Sequence, residues 1–393
     1  MKGKSDIKLT VKKMTGDRPF FWRPEAQFVD EQNEELIFYW SDTDEKFRIS
    51  VCSLKTWRWT EKTKRFSLIQ RPGSPLSKEV KKPLPIHRCT AGTLCILAEH
   101  RVLLLFGGLD RAEVPTSNFY VIDIDTYKWW QVETPEDILP RVGATMTFVN
   151  NLLYIFGGQH EASNTFSVVQ FDPAKLTWGW TIRDRPYPSN VPLMGYAGDV
   201  IPLYDGKKFL LLPGYIQEDS DEVSLRRQRI DLFLNWLSKI DMSASQTIIF
   251  DPFQYTFQVC DSAINGEFPS KMAGYDIAIV SSRRLLQEGI SVKHEENKDT
   301  AAPVVNSILI TEWSTFTPST GTRALPEMWI LGLSESPNNS SVSRCLRLRD
   351  KFKELNMSLM SCAVLTDRRI ILLGSNAPVD EEENFNTCVE IEV

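Results

Sequence analysis

An aliphatic run that ends in Phe-Gly-Gly occurs twice in this sequence, and it limits what the chain can fold into. Arg101–Trp130 reads RVLLLFGGLDRAEVPTSNFYVIDIDTYKWW: Phe106-Gly107-Gly108 closes the run, a polar loop follows, then Phe119–Ile124 and the pair Trp129-Trp130. The pattern returns as Leu152–Gly158 (LLYIFGG), Phe166–Phe171 (FSVVQF) and Trp178 with Trp180. A repeat of about 50 residues is one supersecondary unit that buries its apolar faces only by stacking on its neighbours.

In chain order the pattern predicts four-stranded units: a first strand, an aliphatic strand ending at the glycines, a third strand and an aromatic fourth. The first unit is expected at 14–63, with strands near Ala26–Val29, Leu36–Trp40, Phe47–Leu54 and Trp57–Thr60. Residues 61–86, basic and proline-rich, read as a long loop. The second and third units are expected at 85–134 and 138–184. The fourth, 193–262, turns at Asp205-Gly206, a hairpin signal, and carries Pro213-Gly214 where the second and third units have Gly-Gly, as the first has Tyr39-Trp40 there. Its Asp251-Pro252 matches Asp172-Pro173, and Phe257 stands in the place of Trp178. Inside it Val223, Ile230, Phe233, Leu234, Leu237 and Ile240 recur at helical spacing, predicting a helical insertion at 217–245. The fifth unit, 268–350, holds a polar stretch at 281–306, read as a mobile loop, and strands at Ser307–Glu312, Met328–Leu331 and Arg344–Leu348. The sixth, 356–393, lacks a fourth strand, while Asp6–Lys13 alternates like a strand without a unit of its own. The expectation is one all-β domain over 1–393, a six-bladed β-propeller whose last blade is closed by the N-terminal strand at 5–13. Such closure removes exposed sheet edges.

Composition agrees with that class. Of 393 residues, 42% are hydrophobic, and 11 Trp with 21 Phe favour strands. The formal charge of -6 argues against a nucleic-acid binder. The segment MKGKSDIKLTVKKMTG has no apolar core of a signal peptide, and no run reaches the ~20 apolar residues of a membrane helix. The cysteines at 52, 89, 95, 260, 345, 362 and 388 form no CxxC and read as buried free thiols. These features point to a cytoplasmic protein, with the nucleus as the other compartment, and to no membrane partner.

The glycine pair after an aliphatic strand, the aromatic about 20 residues beyond it and the period together resemble kelch repeats. The residues that carry the resemblance are Phe106-Gly107-Gly108, Phe156-Gly157-Gly158, Trp130 and Trp178, with Pro140-Arg141-x-Gly143 resembling the opening of a repeat. It is fullest over Ile86–Ile182 and degraded in the remaining units. The GH and WD signatures of WD repeats are absent. Read physically, the glycines permit backbone approach that a Cβ would block, and the tryptophans pack one blade on the next.

The resemblance implies that loops joining second to third strands share one face with the loops between blades, where kelch-like propellers meet their partners. On that face fall Asp110, Arg111, Gln159, His160 and Tyr215, with Trp313 and Asn376 in the weaker units; Arg88 and Arg141, which open first strands, are expected at the same mouth. Arginine, histidine and aromatic groups suit an acidic peptide segment. Lys62, Lys64, Arg65, Lys81 and Lys82 are expected to border the face as a basic rim that steers an acidic partner.

Catalytic signatures are missing. The four histidines, 87, 100, 160 and 294, show no HxH or HExxH spacing, and no GxSxG or phosphate loop occurs. The expected function is therefore a non-catalytic protein–protein interaction module, an adaptor or substrate-recognition subunit of a larger assembly such as a ubiquitin ligase, with no cofactor and no metal. The alternative is a carbohydrate-directed enzyme or lectin of the galactose-oxidase-like class, holding a glycan through Trp313, Tyr215 and nearby arginines. An oligomeric scaffold is a third reading, and the sequence leaves the oligomeric state open.

Overall fold

The structure is a computed structural model that describes residues 8–19, 26–30, 32–41, 47–70, 78–82, 91–97, 99–110, 112, 114–158, 165–189, 191, 197–203, 207–213, 246–261, 264–265, 275–280, 304–312, 316–317, 322–323, 328–334, 340–344, 358–366, 369–375 and 387–392. Among them the single helical element is a 3-10 turn at Thr63–Arg65; the rest of the regular structure is strand.

Strand β1 (Lys8–Lys13) is followed by β2 (Thr15–Gly16), β3 (Ala26–Asp30), β4 (Glu35–Ser41), β5 (Phe47–Ser53) and β6 (Arg58–Glu61), and β2–β6 form the first blade in the order β2-β6-β5-β4-β3. The second blade takes β7 (Ser67–Gln70), β8 (Lys78–Val80), β9 (Ala91–Leu97), β10 (His100–Phe106), β11 (Phe119–Asp123) and β12 (Lys128–Val132), ordered β8-β7-β12-β11-β10-β9. The third is the meander β13 (Thr145–Val149), β14 (Leu152–Phe156), β15 (Thr165–Asp172) and β16 (Thr177–Pro186). The fourth is β17 (Ala197–Leu203), β18 (Lys208–Pro213), β19 (Gln246–Asp251) and β20 (Thr256–Asp261). In the fifth, β21 (Ile264–Asn265), β22 (Tyr275–Val280) and β23 (Val304–Glu312) precede a two-stranded ribbon of β24 (Phe316–Thr317) and β25 (Thr322–Arg323), then β26 (Met328–Ser334) and β27 (Ser340–Arg344); its order is β21-β27-β26-β23-β22. Finally β28 (Ser358–Thr366), β29 (Arg369–Ser375) and β30 (Thr387–Glu392) share a sheet with β1, which runs antiparallel to β30 from Lys8↔Glu392 to Lys13↔Thr387.

This is an all-β propeller with inner strands β22, β28, β3, β9, β13 and β17 in contact one after another. The expected count of six blades needs restating. Five blades are each built from one continuous stretch of chain; the last repeat supplies three strands to a sheet that β1, from the other chain end, completes. The helix expected at 217–245 and the greater part of the stretch 281–306 lie outside the described residues, although β23 begins at Val304, three residues ahead of the expected Ser307. The last strand of the fifth blade is Ser340–Arg344 and not Arg344–Leu348.

The period of two explains the core. In β10, Leu103 and Leu105 pack with Ile37, Tyr39, Ile49 and Val51 of the first blade, while Val102, Leu104 and Phe106 pack with Met146, Leu153 and Ile155 of the third. The four described core clusters each straddle two sheets, so both faces of a middle strand must be apolar. The fourth-strand aromatics act as expected, each on the preceding sheet: Trp59 against Ile371 and Leu373, Trp129 against Ile37 and Tyr39, and Trp178 at 5.2 Å from Phe119. The register shows that the equivalent of Trp178 is Trp129, not Trp130, because Phe171↔Trp178 corresponds to Ile122↔Trp129 and Cys52↔Trp59.

Residues 61–86 are more than a loop. The described part forms β7 and β8, a hairpin added outside β12, with β7 parallel to β12 at Lys128↔Ser67 and Trp129↔Leu68. Lys62, Lys64 and Arg65 therefore run along the outer flank between the first two blades, where Arg65 lies over the Tyr127 ring at 5.2 Å. Trp129 donates its indole N–H to the Lys82 carbonyl at 3.3 Å, which holds Lys82 near the same flank. The expected basic rim is displaced from the mouth because this connector descends the outer edge before crossing to β9.

Candidate functional site

Both Gly-Gly motifs converge on one residue. Gly107 and Gly108 have φ of 71° and 91°, and Gly108 N–H donates to the Arg141 carbonyl at 2.7 Å. A Cβ on Gly107 would lie 2.4 Å from that carbonyl oxygen, so the backbone contact itself excludes a side chain. A Cβ on Gly158, φ 104°, would lie 3.1 Å from Arg141 Cβ. Arg141 N–H in turn donates to the Thr116 carbonyl at 3.1 Å. The blade-two loop is thus sewn to the start of blade three.

The loop itself is closed on its own backbone. Thr116 N–H reaches the Gly108 carbonyl at 2.9 Å, Asp110 N–H the Val114 carbonyl at 3.0 Å, and Leu109 bridges Pro115. Asp110 Oδ1 accepts from the N–H groups of Ala112 at 2.8 Å and Val114 at 2.9 Å, the local turn chemistry that favours Asp there. Val114 stands at the tip, 53% exposed.

Beneath it the Arg141 side chain is fully buried, with no exposed surface. Nη1 donates to the carbonyls of Gly157 at 3.2 Å and Thr165 at 3.1 Å. Nη2 donates to Thr165 Oγ1 at 2.9 Å, to Ser167 Oγ at 2.8 Å and to Asp184 Oδ1. Asp184 also accepts from Ser167 Oγ at 2.6 Å and from Leu139 N–H at 2.6 Å. Gly157 N–H donates to Tyr187 Oη at 2.9 Å, and burial pushes the Tyr187 hydroxyl above its ordinary range, keeping it neutral. A buried guanidinium is tolerated only with a carboxylate partner and hydrogen bonds of this number.

Arg141, expected to contact a partner, is therefore corrected: its charge is neutralised internally, and its role is to position the loop. Asp110 lies on the loop as expected. Arg88, Arg111, Gln159, His160, Tyr215, Trp313 and Asn376 lie outside the described residues. Sequence reasoning missed Thr165, Ser167, Asp184 and Tyr187. The available signal was Arg141 itself, a charge in the opening of a repeat whose surroundings are apolar.

One group among the described residues has the composition of a metal site: His100, Asp123 and Asp125, with ligand atoms within 4.8 Å of one another. It does not fit a cation. Asp125 Oδ1 accepts Arg101 Nε at 2.9 Å and Nη2 at 2.6 Å, and its Oδ2 accepts Arg101 N–H at 2.8 Å. Asp123 Oδ1 accepts from Asp125 N–H at 3.0 Å and Thr126 N–H at 2.8 Å. The Arg101 guanidinium already supplies the positive charge. Burial opposes ionisation of Asp125, yet these Arg101 contacts hold its carboxyl below the ordinary carboxylate value. Cys52, Cys95 and Cys388 are free and buried as expected; burial pushes the Cys52 thiol up to about 12 and the other two higher. No helix among the described residues is long and apolar enough to cross a membrane.

Residues 76–215 match the family model described as the KLHDC2/KLHL20/DRC7 Kelch-repeats domain. The matched segment contains both Gly-Gly loops, Arg141 and its cage. Among curated proteins, none matches the chain.

Proposed function

We propose that this chain, a kelch-repeat β-propeller, is a non-catalytic protein-interaction module whose partner docks on the face formed by the loops after the glycine motifs. Kelch-repeat domains are in general modules that bind proteins. The observation that carries the location is the loop between Gly107 and Thr116, closed on its own backbone, tied to Arg141 at its base and exposing Val114. A loop held in one conformation loses little entropy when a partner binds it. In this reading Arg88, Asp110, Arg111, Gln159, His160, Tyr215, Trp313 and Asn376 form the contact set, and the partner offers an acidic segment to its arginines. The protein then acts as an adaptor or substrate-recognition subunit whose catalytic machinery belongs to other chains. In support of a non-catalytic role, Asp30, Asp125, Arg101 and Arg369, whose ionisation is shifted, are engaged in structural ion pairs.

The test is affinity capture with cross-linking on the full chain, wild type against Arg111→Glu and Val114→Asp. A stoichiometric partner cross-linked at 109–116 and lost from both variants, with melting unchanged, is the expected result. An identical set of partners in all three proteins, or cross-links confined to the outer strands, rejects the assignment.

A further inference from the structure

The connectors into the first two blades share a device that, among the described residues, the third blade lacks. In the first, β2 runs parallel to β6 at Thr15↔Arg58 and Gly16↔Trp59, with Thr15 N–H donating to the Trp57 carbonyl at 3.0 Å. In the second, β7 runs parallel to β12 at Lys128↔Ser67, with Ser67 N–H donating to the Tyr127 carbonyl at 3.0 Å. Trp57 and Tyr127 hold the same place in their repeats, both at positive φ, 56° and 58°. Each added strand is led in by a buried apolar residue: Met14, whose Sδ accepts from Trp59 Nε1 at 3.3 Å, and Phe66, edge-on to Tyr127 at 5.4 Å. The sequence at both sites is an apolar residue followed by a hydroxyl residue, Met14-Thr15 and Phe66-Ser67. Under this cover Trp59 is 0% exposed and Trp129 is 4% exposed.

The equivalent edge of the third blade is Leu176–Gly179 on and before β16, with Leu176 at φ 53° in the place of Tyr127. Among the described residues no strand pairs with the outer side of β16. The connector into this blade stays near the loop face, meeting β16 at Trp180, Arg183 and Asp184 through Glu133, Asp137 and Leu139. Among the described residues nothing pairs with the lower part of the edge as a result. Leu176 is 61% exposed, Trp178 is only partly buried, and nothing lies within 4 Å of where a Gly179 Cβ would be.

We propose that Leu176–Gly179 is a second docking site, which takes an extended segment of a protein partner as an added parallel strand. An exposed strand edge offers backbone acceptors and donors to such a segment. The recognised pattern is the one this chain uses on itself: an apolar residue to cover Leu176 and Trp178, followed by a Ser or Thr whose N–H donates to the Leu176 carbonyl. The segment need be no longer than β2 or β7.

The experiment uses a labelled peptide with the sequence of residues 64–70, KRFSLIQ, on the full-length protein, read by fluorescence anisotropy and by hydrogen exchange. Saturable binding with new protection at 176–180 is expected, together with at least about tenfold weaker binding when the peptide serine is N-methylated. Leu176→Asn, a residue that tolerates the left-handed region, should weaken binding similarly while leaving the melting temperature unchanged. The N-methyl comparison needs no variant protein, so a folding defect cannot imitate it. No binding by wild type at about 1 mM peptide, equal binding of the N-methylated peptide, or protection appearing at β12 or on the 109–116 loop overturns the proposal. The mouth-face reading would survive each of those results, because it concerns a different surface.

Discussion

Gly107 and Gly179 separate what a glycine is for from where a glycine happens to be. A methyl at Gly107 meets the Arg141 carbonyl at 2.4 Å in a backbone at φ 71°, with no flexible neighbour to yield. Gly107→Ala should therefore lower stability by more than about 2 kcal/mol, seen as a fall in denaturant midpoint. Gly179→Ala meets nothing within 4 Å and should be neutral or gain up to about 1 kcal/mol by restricting the unfolded chain. Arg141 belongs with Gly107. Arg141→Met leaves Asp184 buried with an unpaired carboxylate and removes the donors to Thr165 and Gly157, for an expected loss of about 3–5 kcal/mol. Asp184→Asn added to Arg141→Met should recover part of that loss, since it removes the stranded charge; a fully additive double variant would show that the pair is not coupled. The sequence marks Gly107 and Gly108 as special, but their common reason sits in the Arg141 backbone carbonyl of the next repeat. No local pattern reports that contact.

At the scale of the element, one hairpin recurs between third and fourth strands. Asp123, Asp172 and Asp251 each accept two backbone N–H groups from the turn that follows, and the residue four places on, Tyr127, Leu176 or Tyr255, takes a positive φ. Asp123→Ala should cost about 1–2 kcal/mol through the lost acceptors, measurable as a shifted unfolding midpoint. This turn was half legible: the match of Asp172-Pro173 with Asp251-Pro252 revealed it, whereas Asp123 lay hidden in IDIDT, where two aspartates compete for the same role. The same ambiguity made Trp130 look like the partner of Trp178. Only the register, which places Trp129 against Ile122, assigns the two neighbours to opposite faces. The β7–β8 hairpin was not legible at all, because SLIQ and KEV are too short and too polar to show a period of two. Their strand character comes from the waiting edge of β12, a tertiary cause. The aliphatic strands, by contrast, were readable from composition because both their faces are buried.

Across the molecule the described core clusters all lie between sheets, so among the described residues no blade holds a core of its own and the sheets are held at their joints. The first blade shows how polar groups lock such joints. The tip of its β3–β4 hairpin is gripped from both sides: Arg369 of the closing sheet reaches Glu34 at 2.9 Å and Glu390 at 2.6 Å, and Arg101 of the second blade reaches Asp30 at 2.9 Å as well as Glu35 and Asp125. Both arginines open the second strand of a repeat, which gives the clamp its regular spacing. Burial opposes the charge on Asp30, but hydrogen bonds from Asn33 and Arg101 outweigh it and hold the carboxyl below its ordinary value; Asp125 is lowered in the same way by Arg101. Carboxyls whose folded values are depressed contribute stability that is fully present above the unfolded value of about 3.9 and is lost as pH falls through the folded ones. Arg101→Met should thus destabilise the protein by about 2–3 kcal/mol at neutral pH, somewhat less than a fully buried pair because Arg101 keeps 19% of its side chain in solvent. The difference from wild type should hold above the unfolded carboxylate value of about 3.9 and shrink as pH falls through the lowered folded values of Asp30 and Asp125. Urea titrations at these pH values measure it directly. A gap that stays constant on acidification would mean that Arg101 acts through its aliphatic stem and not through the carboxylates.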